Sequence, residues 1–323
     1  MQSRLRSRER HSTWRIAGTL AVTCAVVLGA AACSHVSAGT SPTPIWSAST
    51  LITRTPPSFA EPENLVYDSV ADVYLVSNMG GGGPARDDNG FISRVSPDGT
   101  ILDARWIAGG VRGATLDAPK GLALCGDTLA VADIGAVHLF DRRTGAPLRT
   151  IALPGLVMND VACARDGSLW ITDTGPARTP TPVDTTHDVD ALWRVAPSGQ
   201  VAAVARGLAL GRPDGLVLDG SDALVATFGA NRIERIHADS RQGRTPVAVL
   251  PGGRVDGLRR LPNGDLVVTS WDAKAVWSVA PGKPPRTLLS GITSPAGVAI
   301  DTRRHRLAVT SMQGNALYLM PLP

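Results

Sequence analysis

Short apolar strands alternate with polar turns over most of the chain, and six segments begin with the same pattern. In each segment one residue opens a short apolar run, and 39–57 residues separate one such opener from the next. The six openers, in chain order, are Glu63, Lys120, Asn159, Asp214, Asp256 and Ala296. A strict column of this kind is typical of a chain built from structural repeats.

The pattern behind each opener predicts four strands per repeat. A tight turn containing Gly follows the first strand, as at Asp166-Gly167 and Asn263-Gly264, and such turns suit hairpins. Second apolar strands are predicted at 73–76, 129–131, 169–171, 223–225, 266–268 and 307–309. Third strands are predicted at 91–95, 137–140, 191–195, 232–236, 275–279 and 316–319, and a further turn then leads to a fourth.

Four antiparallel strands recurring at this spacing predict an all-β fold, a six-bladed β-propeller with four-stranded blades. The sixth repeat stops after its third strand at Pro323, and residues 50–53 form a strand-like run just before the first repeat. We therefore expect an N-terminal strand to complete the last blade and close the ring, which hides the open sheet edges. The predicted propeller domain covers 46–323.

The chain of 323 residues has a formal charge of +4, but the excess lies at one end. Residues 1–32 carry five Arg and one Glu, so the remaining residues have equal numbers of acidic and basic side chains. From this balance we expect no basic surface for binding nucleic acid. An uncharged apolar run, 16–32, follows the basic stretch and ends in small residues, which is the layout of an export signal.

Cys33 follows these small residues and resembles the cysteine of a bacterial lipoprotein processing site, although Ala30 stands where Leu is usual. Plain cleavage after Ala32 is the alternative. Residues 33–45, rich in Ser, Thr and Pro, are interpreted as a tether. These features predict an exported protein, periplasmic or bound to the cell envelope by an N-terminal lipid on Cys33, with no other membrane contact.

Two cysteines belong to the predicted propeller, Cys125 and Cys163, near the ends of equivalent strands in neighbouring repeats. An exported compartment permits a disulfide between them. Two buried free thiols remain the alternative at this stage, because a sequence does not give their separation.

The openers carry the candidate chemistry. In a propeller the first strand of each blade lines the central channel, so all six openers should meet at one mouth. Glu63, Asn159, Asp214 and Asp256 offer carboxylate and amide oxygens, the ligands preferred by Ca²⁺ or another hard divalent cation. The absence of His and Cys from the column argues against zinc or copper.

Two purely structural explanations compete with a metal site. Asp or Asn before Gly is ordinary turn chemistry, which accounts for Asp214 and Asp256 but not for Glu63. Lys120 could also pair with the carboxylates and fill the site as a network of ion pairs.

The column resembles that of regucalcin and the gluconolactonases. Their first-blade signature is echoed by residues 63–68, their Asn-Asp pair by Asn159-Asp160, and their late Pro-Asp-Gly in part by 255–257. Residues 213–215 replace an Asn-Gly with Asp-Gly and so add a charge. The resemblance implies a six-bladed propeller with channel calcium held by such residues. The catalytic His pair of paraoxonase-like lactonases has no counterpart here.

This resemblance implies a calcium-dependent hydrolase of a lactone or similar ester, acting on a small-molecule substrate. By analogy Asp256 is the general base, and Asn159 contacts substrate as well as metal. Lys120 has no equivalent in the family; it either binds an anionic group or steadies the oxyanion, or else weakens cation binding. Arg212 and Arg254, each two residues before an opener, are predicted to rim the mouth and contact substrate, or merely to be solvated.

Two long loops, 78–90 and 173–190, are predicted to cover the same mouth and shape specificity. His187 in the second is interpreted as exposed rather than catalytic.

The alternative function is a non-enzymatic propeller of the NHL-repeat kind, binding a protein or glycan on its top face; a lyase or isomerase on the same scaffold is a weaker third option. A binding propeller has no need of converging carboxylates, which favours the hydrolase. We expect a monomer.

Overall fold

The computed structural model describes residues 46–47, 53–54, 59–81, 85–175 and 190–323, and these are built almost entirely from β-strands. They fall within one compact unit that begins at Pro42. The predicted export segment, the tether and Cys33 lie outside the described residues, as does His187. Across the described ranges, no helix is both long and apolar enough to span a membrane.

Among the described residues, the strands follow one another with two single-turn 3-10 helices between them, Leu208–Leu210 and Ser240–Gln242. In chain order they are β1 (Trp46–Ser47), β2 (Thr53–Arg54), β3 (Pro62–Asp68), β4 (Val73–Asn78), β5 (Phe91–Val95), β6 (Ile101–Ala108), β7 (Leu122–Cys125), β8 (Thr128–Asp141), β9 (Pro147–Cys163), β10 (Leu169–Asp173), β11 (Ala191–Val195), β12 (Val201–Arg206), β13 (Pro213–Asp219), β14 (Asp222–Thr227), β15 (Arg232–Ile236), β16 (Arg244–Val249), β17 (Val255–Arg260), β18 (Leu266–Ser270), β19 (Ala275–Val279), β20 (Arg286–Ser290), β21 (Pro295–Asp301), β22 (Arg306–Ser311) and β23 (Ala316–Pro321).

These strands form an all-β propeller, which confirms the predicted class. The sheet orders are β3-β4-β5-β6, β7-β8-β9-β10-β11-β12, β13-β14-β15-β16, β1-β20-β19-β18-β17 and β2-β23-β22-β21. The prediction of six separate blades is wrong by this count, since the described residues form five sheets. The second and third repeats share the six-stranded one.

The shared sheet arises because β8 and β9 run through positions where the sequence suggested loops. β8 covers both the second and the third predicted strand of its repeat, and the register shifts near Gly135, whose φ is +66°. β9 likewise joins the fourth strand of the second repeat to the first strand of the third. Hydrogen bonding therefore continues across a boundary that elsewhere separates two sheets.

The N-terminal side of the chain completes the last sheet. β2 pairs antiparallel with β23, with Thr53 opposite Leu319 and Arg54 opposite Tyr318. β1 adds a fifth, parallel strand to the sheet of β17–β20. A strand from one end of the chain thus covers the sheet edge left open by the other end.

The first strands of the repeats contact one another in a closed sequence: β3, β7, β9, β13, β17, β21 and β3 again. Their approach is close because the residue after the opener is glycine in four repeats. A Cβ placed on Gly215 would lie 2.3 Å from the Asp256 carbonyl oxygen, and one on Gly257 would lie 2.4 Å from that of Ala296. Any larger residue would push neighbouring repeats apart at the channel.

The hydrophobic core lies between adjacent sheets. One cluster, for example, joins Leu65 and Val76 of the first repeat to Leu317 and Leu319 of the last, all of them buried. Each sheet therefore buries both faces against its neighbours, as the continuous apolar strands of the sequence require.

The ends of the first strands remote from the openers are linked from repeat to repeat. Asp68 at the end of β3 accepts a hydrogen bond from Nε of Arg142 at 2.9 Å, which joins the first repeat to the second. Asp219 at the end of β13 pairs with Arg260 of the next repeat at 3.0 Å. Asp301 at the end of β21 accepts a hydrogen bond from the Tyr74 hydroxyl of the first repeat at 3.3 Å.

Between the second and third repeats the link is covalent. Cys125 and Cys163 form a disulfide, with their Cα atoms 5.8 Å apart. This resolves the alternative that the sequence left open. The bond closes a loop of sequence separation 38, for which chain-entropy arguments give roughly 4 kcal/mol of stabilisation.

Candidate metal centre

A β-bulge places the openers in the channel. The pairing register of the first and second strands shifts between the residue before the opener and the residue two places after it, as between Pro62 and Leu65 or between Val255 and Leu258. The same shift recurs in β9, β13 and β21. Bulges of this kind re-aim side chains, so the opener leaves the regular ladder.

The turn leading into the bulge has an unusual backbone. The residue two places before the opener has a left-handed φ in four repeats: Glu61 (54°), Arg212 (58°), Arg254 (47°) and Ser294 (45°). Buried hydroxyls at the ends of second strands hold these turns, since Ser270 donates to the Gly253 carbonyl at 2.7 Å and Ser311 to that of Thr293 at 2.6 Å. Strain of about 1 kcal/mol or more per residue is tolerated where surrounding contacts fix the conformation.

Three of the predicted ligands converge. Glu63, Asp214 and Asp256 are each at most 4% exposed, and one carboxylate oxygen of each lies within 4.8 Å of the others. They come from three different repeats, so the radial arrangement inferred from the column is what brings them together. Their roles as metal ligands remain predictions.

The fourth predicted ligand, Asn159, is held beside them. Its Nδ2 donates hydrogen bonds to Asp214 Oδ2 at 2.9 Å and to Thr174 Oγ1 at 2.8 Å. Both amide protons are thereby used, which leaves Oδ1 as the group with which this side chain can accept a further contact.

Lys120 enters the same cluster. Its Nζ lies 3.3 Å from Glu63 Oε1 and 3.4 Å from Met79 Sδ, and the residue is 8% exposed. Burial by itself lowers the pKa of Lys120, but the charges of Glu63, Asp214 and Asp256 together raise it above its ordinary value. The ammonium is therefore charged at neutral pH.

One ammonium does not satisfy three carboxylates. Burial raises the pKa of Glu63, and burial followed by mutual repulsion raises the pKa of Asp214 and Asp256 well above the ordinary range. The Trp271 indole opposes the rise at Asp256, although its N–H falls short of hydrogen-bond geometry. Oε2 of Glu63 is also buried and has no hydrogen-bond partner among the described residues.

A cavity of about 220 Å³ lies over the carboxylates. Its lining comprises Glu61, Glu63, Met79, Lys120, Val157, Asn159, Thr174, Gly175, Arg212, Asp214, Phe228, Asp256, Trp271 and Met312. Two larger grooves, of about 490 and 880 Å³, meet near Cys163 and Arg165, but no opener lines either of them. The chemistry of the openers therefore belongs to the smaller cavity.

The two arginines predicted at the mouth differ in position. Arg212 lines the cavity, with its guanidinium carbon 5.1 Å from the centre of the Phe228 ring. Arg254 does not line it; its guanidinium pairs with Asp272 at 2.6 Å and lies 5.5 Å from the Trp271 ring centre. Substrate contact by either residue remains a prediction.

Sequence reasoning missed a second column of residues, the position immediately after each second strand. Met79, Thr174, Phe228, Trp271 and Met312 hold this position, and all five line the cavity. The signal was present as a fixed offset from the second strands, but the side chains share no charge or motif that would mark them. The predicted loop covers, 78–90 and 173–190, include Met79 and Thr174; of these loops, 82–84 and 176–189 lie outside the described part of the chain.

Behind the openers a polar network crosses the channel. Asp160 accepts a hydrogen bond from Arg259 Nη1 at 2.8 Å and one from Asn64 Nδ2 at 3.4 Å, while Arg259 Nη2 donates to Asn64 Oδ1 at 3.3 Å. These residues come from the first, third and fifth repeats. Asn64 follows Glu63 and Asp160 follows Asn159, so this network fixes the spacing between the strands that carry these two openers.

Comparison with known proteins agrees with this architecture. Residues 92–313 match the family described as SMP-30/Gluconolactonase/LRE-like region. One similar solved structure, provisionally assigned as a gluconolactonase, has a TM-score of 0.62 and 20% identity and covers 83% of this chain and 90% of its own. A gluconolactonase from Xanthomonas campestris has a TM-score of 0.62 and 22% identity, with coverages of 82% and 88%. No curated protein matched the sequence.

Proposed function

The chain belongs to the SMP-30/gluconolactonase/LRE-like family, since the family model matches about two thirds of its length, and from this premise we propose that it is a calcium-dependent hydrolase of a lactone or similar ester. The observation that carries the proposal is the cluster of Glu63, Asp214 and Asp256. Three buried carboxylates and the ammonium of Lys120 leave two negative charges uncompensated, which one divalent cation would balance.

The donor set fits a hard cation. Glu63, Asp214 and Asp256 would hold it with carboxylate oxygens and Asn159 with its free Oδ1, and the buried Oε2 of Glu63 would gain a partner. Oxygen-only ligands of this kind favour calcium over zinc or copper. When bound, such a cation would polarise the substrate carbonyl and stabilise negative charge on its oxygen.

The residues themselves would carry the proton and orient the substrate. A water molecule attacks the carbonyl carbon while Asp256 accepts its proton; the new C–O bond forms, the ring C–O bond breaks, and the proton passes to the departing oxygen. The product is one hydroxy acid for each lactone and water consumed. Lys120, held by Glu63, would steady developing negative charge nearby, and Arg212 would contact the part of the substrate that lies along the wall.

We extend the proposal to the rest of the chain. An export signal in residues 1–32 would direct the protein to the periplasm or cell envelope, with Cys33 lipidated and 33–45 acting as a tether. Mass spectrometry of the N-terminus after expression in a bacterial host would give an acylated Cys33. An unmodified Cys33 would instead show plain signal-peptide cleavage without lipidation.

Calcium binding and turnover test the central claim together. We expect calorimetry on the purified chain to find one calcium per protein, and lactone hydrolysis to stop with chelator and return with calcium. Asp256→Asn and Glu63→Gln should each weaken calcium binding at least 100-fold, whereas Asp127→Asn, an exposed acid remote from the channel, should not. If the protein has no calcium affinity and no lactone hydrolysis that Asp256→Asn reduces, the result would instead support the non-enzymatic binding propeller.

A further inference from the structure

The cavity has two tiers of opposite character. Its floor is formed by the charged openers. Above it lies a second level of side chains, which we call the apolar collar; it comprises the residues that follow β4, β10, β14, β18 and β22, together with the equivalent position inside β8: Met79, Thr174, Phe228, Trp271, Met312 and Ile134. Five of the six are apolar. Ile134 does not line the cavity but is buried against Met79 and Met312, so it supports the collar from behind.

One side of the collar is a fixed aromatic wall. Phe228 and Trp271 meet edge to face, with ring centroids 5.3 Å apart. Arg212 lies over Phe228 and Arg254 over Trp271, so that each ring is packed between the other ring and a guanidinium. The rings are half-buried, which leaves apolar surface available to a bound molecule.

The collar offers little to a hydroxylated molecule. Its one hydroxyl, on Thr174, already donates to the Pro213 carbonyl at 2.9 Å and accepts from Asn159 at 2.8 Å. Each substrate hydroxyl buried against Phe228, Trp271 or a methionine of the collar would lose hydrogen bonds to water without a replacement, which is unfavourable; the polar lining residues Glu61 and Arg212 lie outside the collar. An alkyl or aryl group would instead gain contact with methionine and aromatic side chains.

From this arrangement we propose that the substrate is a lactone or ester carrying an apolar substituent, rather than a polyhydroxylated sugar lactone; the inference rests on the proposed function. The reacting ester lies on the charged floor, and its alkyl or aryl group lies against Phe228, Trp271 and Met312. The cavity of about 220 Å³ is smaller than pockets for drug-sized ligands, which span roughly 300–1,000 Å³, so a single ring with a short chain or fused ring fits it.

A substrate series tests the inference. We would measure kcat/KM for glucono-δ-lactone, δ-valerolactone and δ-decanolactone with calcium present, and divide each value by the hydroxide-catalysed rate of the same lactone. We expect δ-decanolactone to exceed glucono-δ-lactone by roughly 100-fold, since each buried methylene is worth about a factor of four and burial of three or four of the five chain carbons gives roughly this factor. Equal values, or a preference for the sugar lactone, would overturn the inference while leaving the proposed function intact.

Two variants assign the preference to the collar. Trp271→Ala should lower kcat/KM for δ-decanolactone at least 10-fold more than it lowers kcat/KM for δ-valerolactone, and the additional loss should appear mainly in KM. Trp106→Ala is the matched control, because Trp106 is a half-buried aromatic with its own arginine, Arg94, at 5.3 Å, but lies outside the cavity. A loss of equal size for both lactones in Trp271→Ala would assign the residue a structural role and contradict the inference.

A binding measurement keeps the question answerable without turnover. The lactam analogues of dihydrocoumarin and of gluconolactone lack the ester and can be titrated by calorimetry. Binding of the aryl lactam at least 10-fold tighter than the sugar lactam, lost in Trp271→Ala, supports the collar even if no lactone is hydrolysed. In that case the hydrolase proposal fails while the apolar preference stands; binding of neither lactam overturns the inference.

Discussion

Strands β3 and β13 each carry an acidic residue at both ends, and the two ends differ in how the charge is compensated. At the remote end Asp68 is buried but receives hydrogen bonds from Arg142 and from the backbone N–H groups of Val70 and Ala71. At the channel end Glu63 shares one ammonium with two other acids and keeps a buried oxygen without a partner. The same strand thus ends in a satisfied carboxylate and an unsatisfied one.

The pKa values follow the partners rather than the burial. Burial alone would raise the pKa of Asp68, but its hydrogen bonds outweigh burial and lower it. For Asp256, repulsion adds to burial and the pKa rises well above its usual range. Buried acids near one another therefore mark a candidate ligand site, whereas buried acids beside arginine hold repeats together.

The strongest test of this division is the covalent link at the remote end. Replacing both cysteines, Cys125→Ala with Cys163→Ala, should lower the free energy of unfolding by roughly 4 kcal/mol, because the unfolded chain without the cross-link gains conformational entropy. Calcium affinity should stay within about threefold, because the bond lies away from the openers. Urea unfolding and calorimetry measure the two quantities; a parallel loss of calcium binding would show that the two ends are coupled.

A smaller loss is expected at Asp68. Asp68→Asn should cost about 2 kcal/mol, because the guanidinium of Arg142 and two backbone N–H groups lose a charged acceptor. The folded-state pKa of Asp68 is depressed, so its contribution is full above the unfolded value of about 3.9 and disappears as the pH falls through the folded value. The difference in unfolding free energy between the parent and the variant should therefore be smaller at pH 3 than at pH 6. A difference in unfolding free energy that is the same at both pH values would argue against the ion pair.

The smallest effect has the opposite sign. Asp256→Asn removes one of three crowded charges, so in chelator the variant should be more stable than the parent by about 1 kcal/mol. With millimolar calcium the order should reverse, since the parent gains more free energy from binding than the variant does. Thermal melts with and without calcium give both comparisons. The Tm of the Asp127→Asn control should match that of the parent in both conditions. A variant less stable in both conditions would place Asp256 among the structural acids.

Much of the fold was accessible from the sequence because it depends on local patterning. The apolar second and third strands, the Gly-containing turns and the convergence of Glu63, Asp214 and Asp256 all follow from positions that repeat. The merged sheet could not be foreseen, because nothing in 132–136 distinguishes a continuous strand from a short loop. Pairing of Cys125 with Cys163 needed a distance that only tertiary structure supplies.

The site was harder to anticipate where side chains act through shape. Met79, Phe228 and Trp271 occupy equivalent positions but share only bulk and low polarity, which are also the marks of core residues. The sequence likewise did not reveal that Arg254 turns towards Asp272 instead of the cavity. Charge at a repeated position is recognisable from sequence, whereas the lining around it depends on how each turn is folded.

The glycines that follow four of the openers have a consequence for engineering. They let main-chain atoms of one repeat approach the next closely in four of the six repeats, whereas Asn64 and Asp160 occupy this position in the other two. In these four repeats the ring leaves little room to widen, so the ion selectivity of the proposed metal site would have to be adjusted by lengthening or shortening the openers themselves, for example with Asp214→Glu or Glu63→Asp.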